Sequence, residues 1–326
     1  MHDVSMVEAI RAALGDELER DERTMILGQD VGLSGGVFRA TDGLQARFGA
    51  HRVVDTPLAE GVIVGSAVGL AVAGRIPIVE IQFLGFTHQA FHQISDQVAR
   101  MRWRSRGRYG VPLVIRAPFG GGVRTPEMHA DALEAKFVQC PGLKVVAPAT
   151  VEDAYGLLVS AIRDPDPVLF LEPLRGYRLV KGDLPAQGHV TGFGKARVAR
   201  RGEHVTVLAW SAAVQVAERA AETVAREGIS CTVLDLRTLV PLDEDTIHEH
   251  VARTGRAVVV HEAPLTGGFG AEVAATVSSG AFYNLEAPVE RVTGFDAPYP
   301  VGPLEEDHLP NERRVADAIR KAATTP

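Results

Sequence analysis

Glu60 is the residue whose surroundings point most directly to chemistry. It closes the segment VVDTPLAE (53–60), and each residue from 61 to 74 is apolar or small. A carboxylate at the edge of such a stretch is costly to bury unless a hydrogen-bond partner or a proton-sharing ligand meets it. Acidic side chains also stabilise helix N-termini, which is the structural alternative. The setting of Glu60 therefore indicates either a ligand site or a helix cap.

His129 is the second candidate, in PEMHAD (126–131). It follows the glycine-rich segment FGGGVR (119–124), which comes after an apolar strand pattern. Side chains on loops of this kind reach sites at the carboxyl ends of strands. An imidazole there can move a proton near neutral pH. Since the chain has 11 histidines, a structural role is the alternative.

The elements that must position these residues form an alternating pattern. Ser5 and Glu8 stand in capping-box spacing, and the glycines at 61, 65 and 69 give the helix predicted there a nearly smooth face. Alternation of strands and helices predicts the α/β class, with mostly parallel, doubly wound sheets. Strand patterns lie at 24–28, 52–55, 76–83, 112–116, 143–147, 168–171, 204–210, 230–234, 257–261 and 289–294, and helical patterns at 4–21, 61–73, 91–101, 151–163, 213–227, 243–252 and 270–278.

Length and composition indicate two domains. The chain has 326 residues, 46% of them hydrophobic, and a turn-rich segment at 179–195 predicts a linker between domains 1–185 and 186–326. The net charge of −7 argues against nucleic acid or an anionic membrane as partner. Arginines at 100, 102, 104, 106 and 108 then indicate a subunit contact or a solvated face.

Cysteine usage and the N-terminus bear on the compartment. Cys140 and Cys231 are far apart, so neither a disulfide framework nor a cysteine metal site is indicated. The first residues lack a secretory pattern, and the longest apolar run is too short to cross a bilayer. We expect a cytoplasmic protein.

Six segments in a fixed order resemble the β subunit of thiamin-diphosphate-dependent 2-oxoacid dehydrogenases, and the resemblance runs from about residue 4 to about residue 320. They are GGVFRAT (35–41), DTPLAE (55–60), EIQF (80–83), PGLKVV (141–146), DLRTL (235–239) and HEAPLTGGF (261–269). EIQF and HEAPLTGGF are most similar to the branched-chain enzymes. The resemblance implies a transketolase-like pyrimidine-binding domain followed by a transketolase C-terminal-type domain.

The resemblance assigns cofactor contacts. Glu60 would hydrogen-bond the aminopyrimidine ring of thiamin diphosphate and favour the imino tautomer that takes the proton from the thiazolium carbon. Leu58 and Gln82 match positions that face the cofactor, although Gln82 could instead bond to backbone at a strand end. Phe86 stands where branched-chain relatives often have tyrosine, so the ring is kept and the hydroxyl is lost.

The resemblance also assigns His129 the binding of the 2-oxoacid and the reductive transfer of the acyl group to a lipoyl sulfur. Relatives usually follow this histidine with Ser-Gln, whereas Ala130 and Asp131 follow it here. This departure from the family pattern leaves the hydrogen bonds that support His129 open.

A missing motif implies a partner. Thiamin diphosphate is normally anchored by Gly-Asp-Gly followed by an asparagine that ligates magnesium, and this chain has no Gly-Asp-Gly. The magnesium and the diphosphate would then be held by an α subunit, in a heterotetramer of two α and two β subunits. The small-residue helix after Glu60 is a candidate for the contact with the second β subunit. A lipoyl acyltransferase core would receive the acyl group.

Potassium is a further possibility. The backbone carbonyls of Leu113 and Ala161, together with Asp164 and Asp166, match positions that hold this cation in relatives. The turn DPDP (164–167) is rich in oxygen ligands. A helix-ending turn with solvated aspartates is the alternative.

The sequence therefore predicts oxidative decarboxylation of branched-chain 2-oxoacids with acyl transfer to lipoamide, and pyruvate or acetoin as alternative substrates. A nicotinamide dehydrogenase is disfavoured, because GFG at 192–194 and at 268–270 lacks a third glycine and a strand-turn-helix setting. A non-catalytic assembly subunit is the other alternative.

Overall fold

Two sheets rich in parallel strands, covered by helices, form the frame of the protein. The computed structural model describes residues 3–325. The strands are β1 (Asp3–Ser5), β2 (Thr24–Gly28), β3 (Val53–Asp55), β4 (Ile76–Glu80), β5 (Val114–Phe119), β6 (Lys144–Val146), β7 (Val168–Pro173), β8 (Lys181–Asp183), β9 (Arg197–Arg200), β10 (Val205–Ala209), β11 (Cys231–Asp235), β12 (Thr238–Val240), β13 (Ala257–Pro264) and β14 (Glu290–Gly294). The predicted α/β class is confirmed.

The α-helices between these strands cover both faces of the sheets. They are α1 (Met6–Arg20), α2 (Leu44–Phe48), α3 (Glu60–Val72), α4 (Met101–Arg104), α5 (Glu134–Val138), α6 (Val151–Arg163), α7 (Gly176–Leu179), α8 (Ala213–Ala225), α9 (Glu244–Thr254), α10 (Gly270–Gly280), α11 (Glu305–His308) and α12 (Glu312–Thr324). Short 3-10 turns lie at Leu84–Ala90, Phe282–Asn284 and Gly302–Leu304, and a π-helical turn lies at Gln93–Val98.

The first sheet has seven strands in the order β12-β6-β7-β5-β4-β2-β3. All neighbours are parallel except β12, which runs antiparallel to β6. Because side chains alternate along a strand, Ile78 of β4 joins the core beneath α1 and α6 while Val79 joins the core beneath α3. Both faces of β4 are thus buried, as in doubly covered sheets.

The second sheet has five strands in the order β14-β13-β10-β11-β9, parallel except for β9. Helices α8 and α12 cover one face with a separate apolar core. The other face shares its core with the first sheet, since Leu208 and Val259 belong to the same buried cluster as Val79. The two sheets are therefore joined by a continuous apolar interface.

Several predicted elements match and others differ. The Ser5 and Glu8 capping box is confirmed, with the Glu8 carboxylate accepting from the Ser5 N–H at 2.7 Å and from its hydroxyl at 2.6 Å. The strand predicted over 76–83 ends at Glu80, because a 3-10 turn begins at Leu84. The helix predicted over 91–101 is instead the π-helical turn followed by α4.

The division of the chain at residue 185 stays a prediction. The predicted linker 179–195 contains β8, which pairs with β1. Strand β12, from beyond residue 185, completes the first sheet. Within residues 3–325, none of the helices is both long and apolar enough to span a membrane.

Candidate active site

Glu60 is the first residue of α3 and is almost completely buried, with 6% of its surface exposed. Its Oε2 atom is buried and has no hydrogen-bond partner among residues 3–325. The N-cap residue of α3 is Ala59, so Glu60 stands one position inside the helix, where its charge favours the N-terminus, but among residues 3–325 no N–H group donates to its Oε2. Because buried polar atoms are normally paired, this oxygen is suited to an N–H donor from a ligand. The aminopyrimidine ring of thiamin diphosphate fits that requirement.

An aromatic cluster lies on the segment after β4. The ring of His129 lies 4.5 Å from that of Phe83 and 5.0 Å from that of Phe86, both edge-on, measured between centroids. Phe83 and Phe86 are 5.4 Å apart, and Phe38 lies 5.5 Å from Phe83. The structure thus brings Phe86 and His129, far apart in sequence, into direct contact.

The His129 ring is oriented by its own loop. Its Nδ1 lies 2.9 Å from the carbonyl oxygen of Glu127. A carbonyl only accepts, so Nδ1 carries the proton and Nε2 is the nitrogen that can take one up. The loop lies close to the 3-10 turn, because a Cβ on Gly85 would be 2.0 Å from the Met128 carbonyl oxygen. Glycine at 85 therefore allows the histidine to approach the aromatic cluster.

The other predicted cofactor contacts surround this region. Gln82 is half-buried just beyond β4, two residues after Glu80. Leu58 lies in the turn before α3 and is 66% exposed. Helix α3, which begins with Glu60, packs along the 3-10 turn that carries Phe86. Adjoining elements thus carry four of the predicted site residues, Glu60, Gln82, Phe86 and His129. Leu58 lies on the solvent-exposed side of this group.

A buried ionic network that the sequence analysis missed links the neighbouring strands β4, β5 and β7. The Arg116 guanidinium is fully buried and donates to Glu80 at 2.7 Å and to Glu172 at 2.7 and 3.0 Å. The Tyr177 hydroxyl donates to Glu172, and burial raises the pKa of both groups. Phe38 packs on Tyr177 at 5.3 Å, which joins this network to the aromatic cluster. The available signal was a charged residue within two apolar strand patterns, Glu80 and Arg116, and another directly after a third, Glu172.

Two further carboxylates outside the predicted set contact the loop that leads to His129. Glu262, at the end of β13, and Glu305, at the start of α11, accept hydrogen bonds from backbone N–H groups of residues 121–124. Glu262 lies inside the HEAPLTGGF segment, but the sequence does not reveal what it contacts.

The predicted potassium ligands are engaged with protein groups. The Asp164 carboxylate accepts from Lys144 at 2.7 Å, and Asp166 pairs with Arg102. The Leu113 carbonyl accepts from a backbone N–H at 3.0 Å and the Ala161 carbonyl from another at 3.3 Å. Among residues 3–325, no group of three or more His, Cys, Asp or Glu side chains is gathered for a metal ion. Potassium binding stays a prediction.

Comparison with known proteins identifies the two parts of the fold. Residues 2–179 match the transketolase pyrimidine-binding domain and residues 194–315 the transketolase C-terminal domain. The solved structure titled "Split gene transketolase, inactive beta4 tetramer" superposes with a TM-score of 0.80 at 24% identity, covering 99% of each chain. This defines a two-domain, transketolase-like protein.

Two relatives refine the class. The pyruvate dehydrogenase E1 component subunit beta of Bacillus subtilis (strain 168) is 48% identical over 321 residues, or 98% of this chain and 99% of the relative. The protein of the same name from Staphylococcus aureus (strain Mu50 / ATCC 700699) is 48% identical over 325 residues, or 100% and 99%. The chain belongs to the β subunits of the thiamin-diphosphate-dependent 2-oxoacid dehydrogenases.

Proposed function

We propose that this chain is the β subunit of a decarboxylase component that acts on pyruvate and passes the acyl group to lipoamide on an acyltransferase core. Both relatives described above are named for pyruvate dehydrogenase, which favours the pyruvate alternative over the branched-chain expectation. Branched-chain 2-oxoacids are the second candidate, because of the EIQF and HEAPLTGGF segments and the apolar ring of Phe86.

The observation that carries the proposal is the unpaired, buried Oε2 of Glu60. When bound, thiamin diphosphate supplies a sink for the electron pair that stays on the substrate carbon when carbon dioxide leaves. Glu60 would hold and return a proton at the aminopyrimidine, and Phe86 would pack against its flat ring. His129, with Nδ1 bound to the Glu127 carbonyl, would use Nε2 to hold the 2-oxoacid and move a proton during acyl transfer.

The rest of the site would come from other subunits. The chain lacks a Gly-Asp-Gly motif, so we assign the magnesium and the diphosphate to an α subunit. The outer face of α3 supports a subunit contact, because Val62 is 63% and Val72 39% exposed beside small residues. The assembly would be a heterotetramer of two α and two β subunits, in the cytoplasm.

The test is decarboxylation by the chain co-expressed with its α subunit, with thiamin diphosphate and magnesium, on pyruvate and on 3-methyl-2-oxobutanoate. We expect pyruvate to be preferred and Glu60→Gln to lower turnover by about 10²–10⁴-fold, the usual range for a proton-transfer group. Glu152→Gln is the matched control, since Glu152 also lies in the first turn of a helix but is exposed.

Each alternative has its own outcome. Preference for the branched acid would support the second candidate and leave the role of Glu60 intact. Full activity in the Glu60→Gln enzyme would remove Glu60 from the chemistry and favour the non-catalytic assembly subunit.

A further inference from the structure

The glycine-rich loop between β5 and His129 is held by a carboxylate from the far end of the chain. Glu305 has 1% of its surface exposed. Its Oε1 accepts from the Gly122 N–H and from the Val123 N–H at 3.2 Å, and its Oε2 accepts from the Arg124 N–H at 2.6 Å. The Tyr299 hydroxyl donates to Oε1 at 2.9 Å. One buried carboxylate therefore satisfies three consecutive backbone N–H groups of the loop.

A second carboxylate extends this contact by one residue. Glu262 Oε2 accepts from the Gly121 N–H at 2.8 Å. Burial raises the pKa of Glu262, while the Arg175 guanidinium and the Gly121 N–H oppose that rise. A Cβ on Gly121 would lie 1.7 Å from the Tyr299 hydroxyl and 2.7 Å from Glu305 Oε1. A side chain at 121 would therefore displace the Tyr299 hydroxyl or the Glu305 carboxylate from its place.

Between Arg124 and His129 the loop is held near its end, where the Met128 carbonyl lies against Gly85 and the Pro126 carbonyl accepts from the His129 N–H at 3.3 Å. Residues 126–128 are exposed, and Arg124 and Met128 both have positive φ, 54° and 70°. On its other side His129 rests on the rings of Phe83 and Phe86. The position of the imidazole therefore depends on the aromatic cluster after β4 and on two carboxyl groups, Glu262 near the end of β13 and Glu305 at the start of α11.

We infer that Glu305, supported by Glu262, is a positioning residue through which the second domain holds the 119–124 loop and with it His129. The inference rests on the proposed function, because the task of His129 comes from there. Hydrogen bonds from four adjacent backbone N–H groups to these two carboxyl groups fix both the direction and the register of the loop. A displacement of about 1 Å at a catalytic group is enough to lower turnover by about 100-fold.

The test uses the enzyme assembled with its α subunit and compares Glu305→Ala, Glu305→Gln and Glu306→Gln. Alanine removes every acceptor, whereas glutamine keeps one oxygen and loses the acceptor for the Arg124 N–H. Glu306 is the matched control, since it is exposed and pairs only with the Arg124 side chain. The first readout is hydrogen exchange of the peptide that contains residues 121–124. We expect exchange to be fastest in Glu305→Ala, intermediate in Glu305→Gln and unchanged in Glu306→Gln.

The second readout separates positioning from general stability. Lipoamide-coupled turnover should fall by about 10–100-fold in Glu305→Ala, and by more than decarboxylation measured with ferricyanide as electron acceptor. In a His129→Ala background, Glu305→Ala should have almost no further effect, because residues that act as one unit are not additive.

The outcomes are distinct. Unchanged exchange in both Glu305 variants would overturn the contact itself. Positioning through His129 would be overturned if exchange were faster but the ratio of lipoamide-coupled turnover to ferricyanide-coupled decarboxylation were unaltered. It would also be overturned if the losses from Glu305→Ala and His129→Ala were additive. If wild-type enzyme decarboxylates neither 2-oxoacid, the proposed function fails while the exchange data still report on the loop. If Glu305→Ala does not fold, the same tests are made with Glu305→Gln: hydrogen exchange of residues 121–124, the ratio of the two activities, and the effect in the His129→Ala background.

Discussion

Replacing Glu134 with glutamine should stabilise the protein at pH 8 and have little effect at pH 5. Glu134 begins α5 and has no exposed surface, and among residues 3–325 neither of its carboxyl oxygens has a hydrogen-bond partner of good geometry. Burial raises its pKa to about 7, and the charge of Glu262 adds to that rise. The N–H groups of its own backbone and of Trp210 oppose the rise only in part. The folded protein therefore keeps a proton on Glu134 that the unfolded chain releases.

The size and sign of the effect follow from the pKa of Glu134 in the unfolded chain and its pKa in the folded protein. In the unfolded chain the group titrates near 4.5, and in the folded protein near 7. Between these values the unfolded chain loses the proton first, so the free energy of unfolding falls as pH rises and levels off above 7. The shift corresponds to about 3 kcal/mol. Glutamine has no proton to lose, so Glu134→Gln should be more stable at pH 8 by up to about 3 kcal/mol.

The assay is denaturant unfolding of wild type and variant at pH 5, 6, 7 and 8, followed by tryptophan fluorescence. Glu127→Gln is the matched control, since Glu127 is exposed in the nearby loop, and its curve should follow that of wild type. A constant difference between Glu134→Gln and wild type over the whole pH range would refute the reasoning.

Two further changes test other parts of the site. Arg116→Met leaves two buried carboxylates without their cation, so it should lower the free energy of unfolding by about 3–5 kcal/mol. Arg102→Met breaks a solvent-exposed pair with Asp166 and should cost at most about 1 kcal/mol in the same denaturant assay; equal losses would contradict the assignment. Gly85→Ala places a methyl group 2.0 Å from the Met128 carbonyl oxygen, so the His129 loop must shift. Turnover of the assembled enzyme should fall by about 10-fold or more with an unchanged circular dichroism spectrum, and unaltered turnover would mean that the loop adapts.

Local patterns predicted most of the frame. Helix α3 and strand β2 lie within one residue of their predicted bounds, because an apolar run or a short β-rich run between turn residues specifies each of them locally. The burial of Glu60 also follows from its place before an apolar helix. The resemblance to 2-oxoacid dehydrogenase β subunits, and not any local pattern, assigned cofactor or substrate roles to Leu58, Gln82, Phe86 and His129. These roles stay predictions.

Contacts between distant segments could not be predicted. Glu305 meets Gly122, 183 residues away, and Arg116 meets Glu172, 56 residues away. No spacing rule links such pairs, since sheet order and domain packing decide which of them meet. The π-helical turn at Gln93–Val98, which packs against α3, was also missed, because a helical pattern does not distinguish π-helical from α-helical geometry.

Strand β12 makes the first sheet depend on a part of the chain that is synthesised late. Within the part of the chain that the structure describes, the outer edge of β6 pairs with Thr238–Val240. During translation, residue 240 must leave the ribosome before that edge is covered, and until then β6 presents unpaired N–H and C=O groups that invite association with other chains. A fragment that ends at residue 185 would keep this edge open permanently. The two halves should therefore need each other to avoid aggregation, and a gene divided between them should give a well-behaved protein only when both fragments are made together.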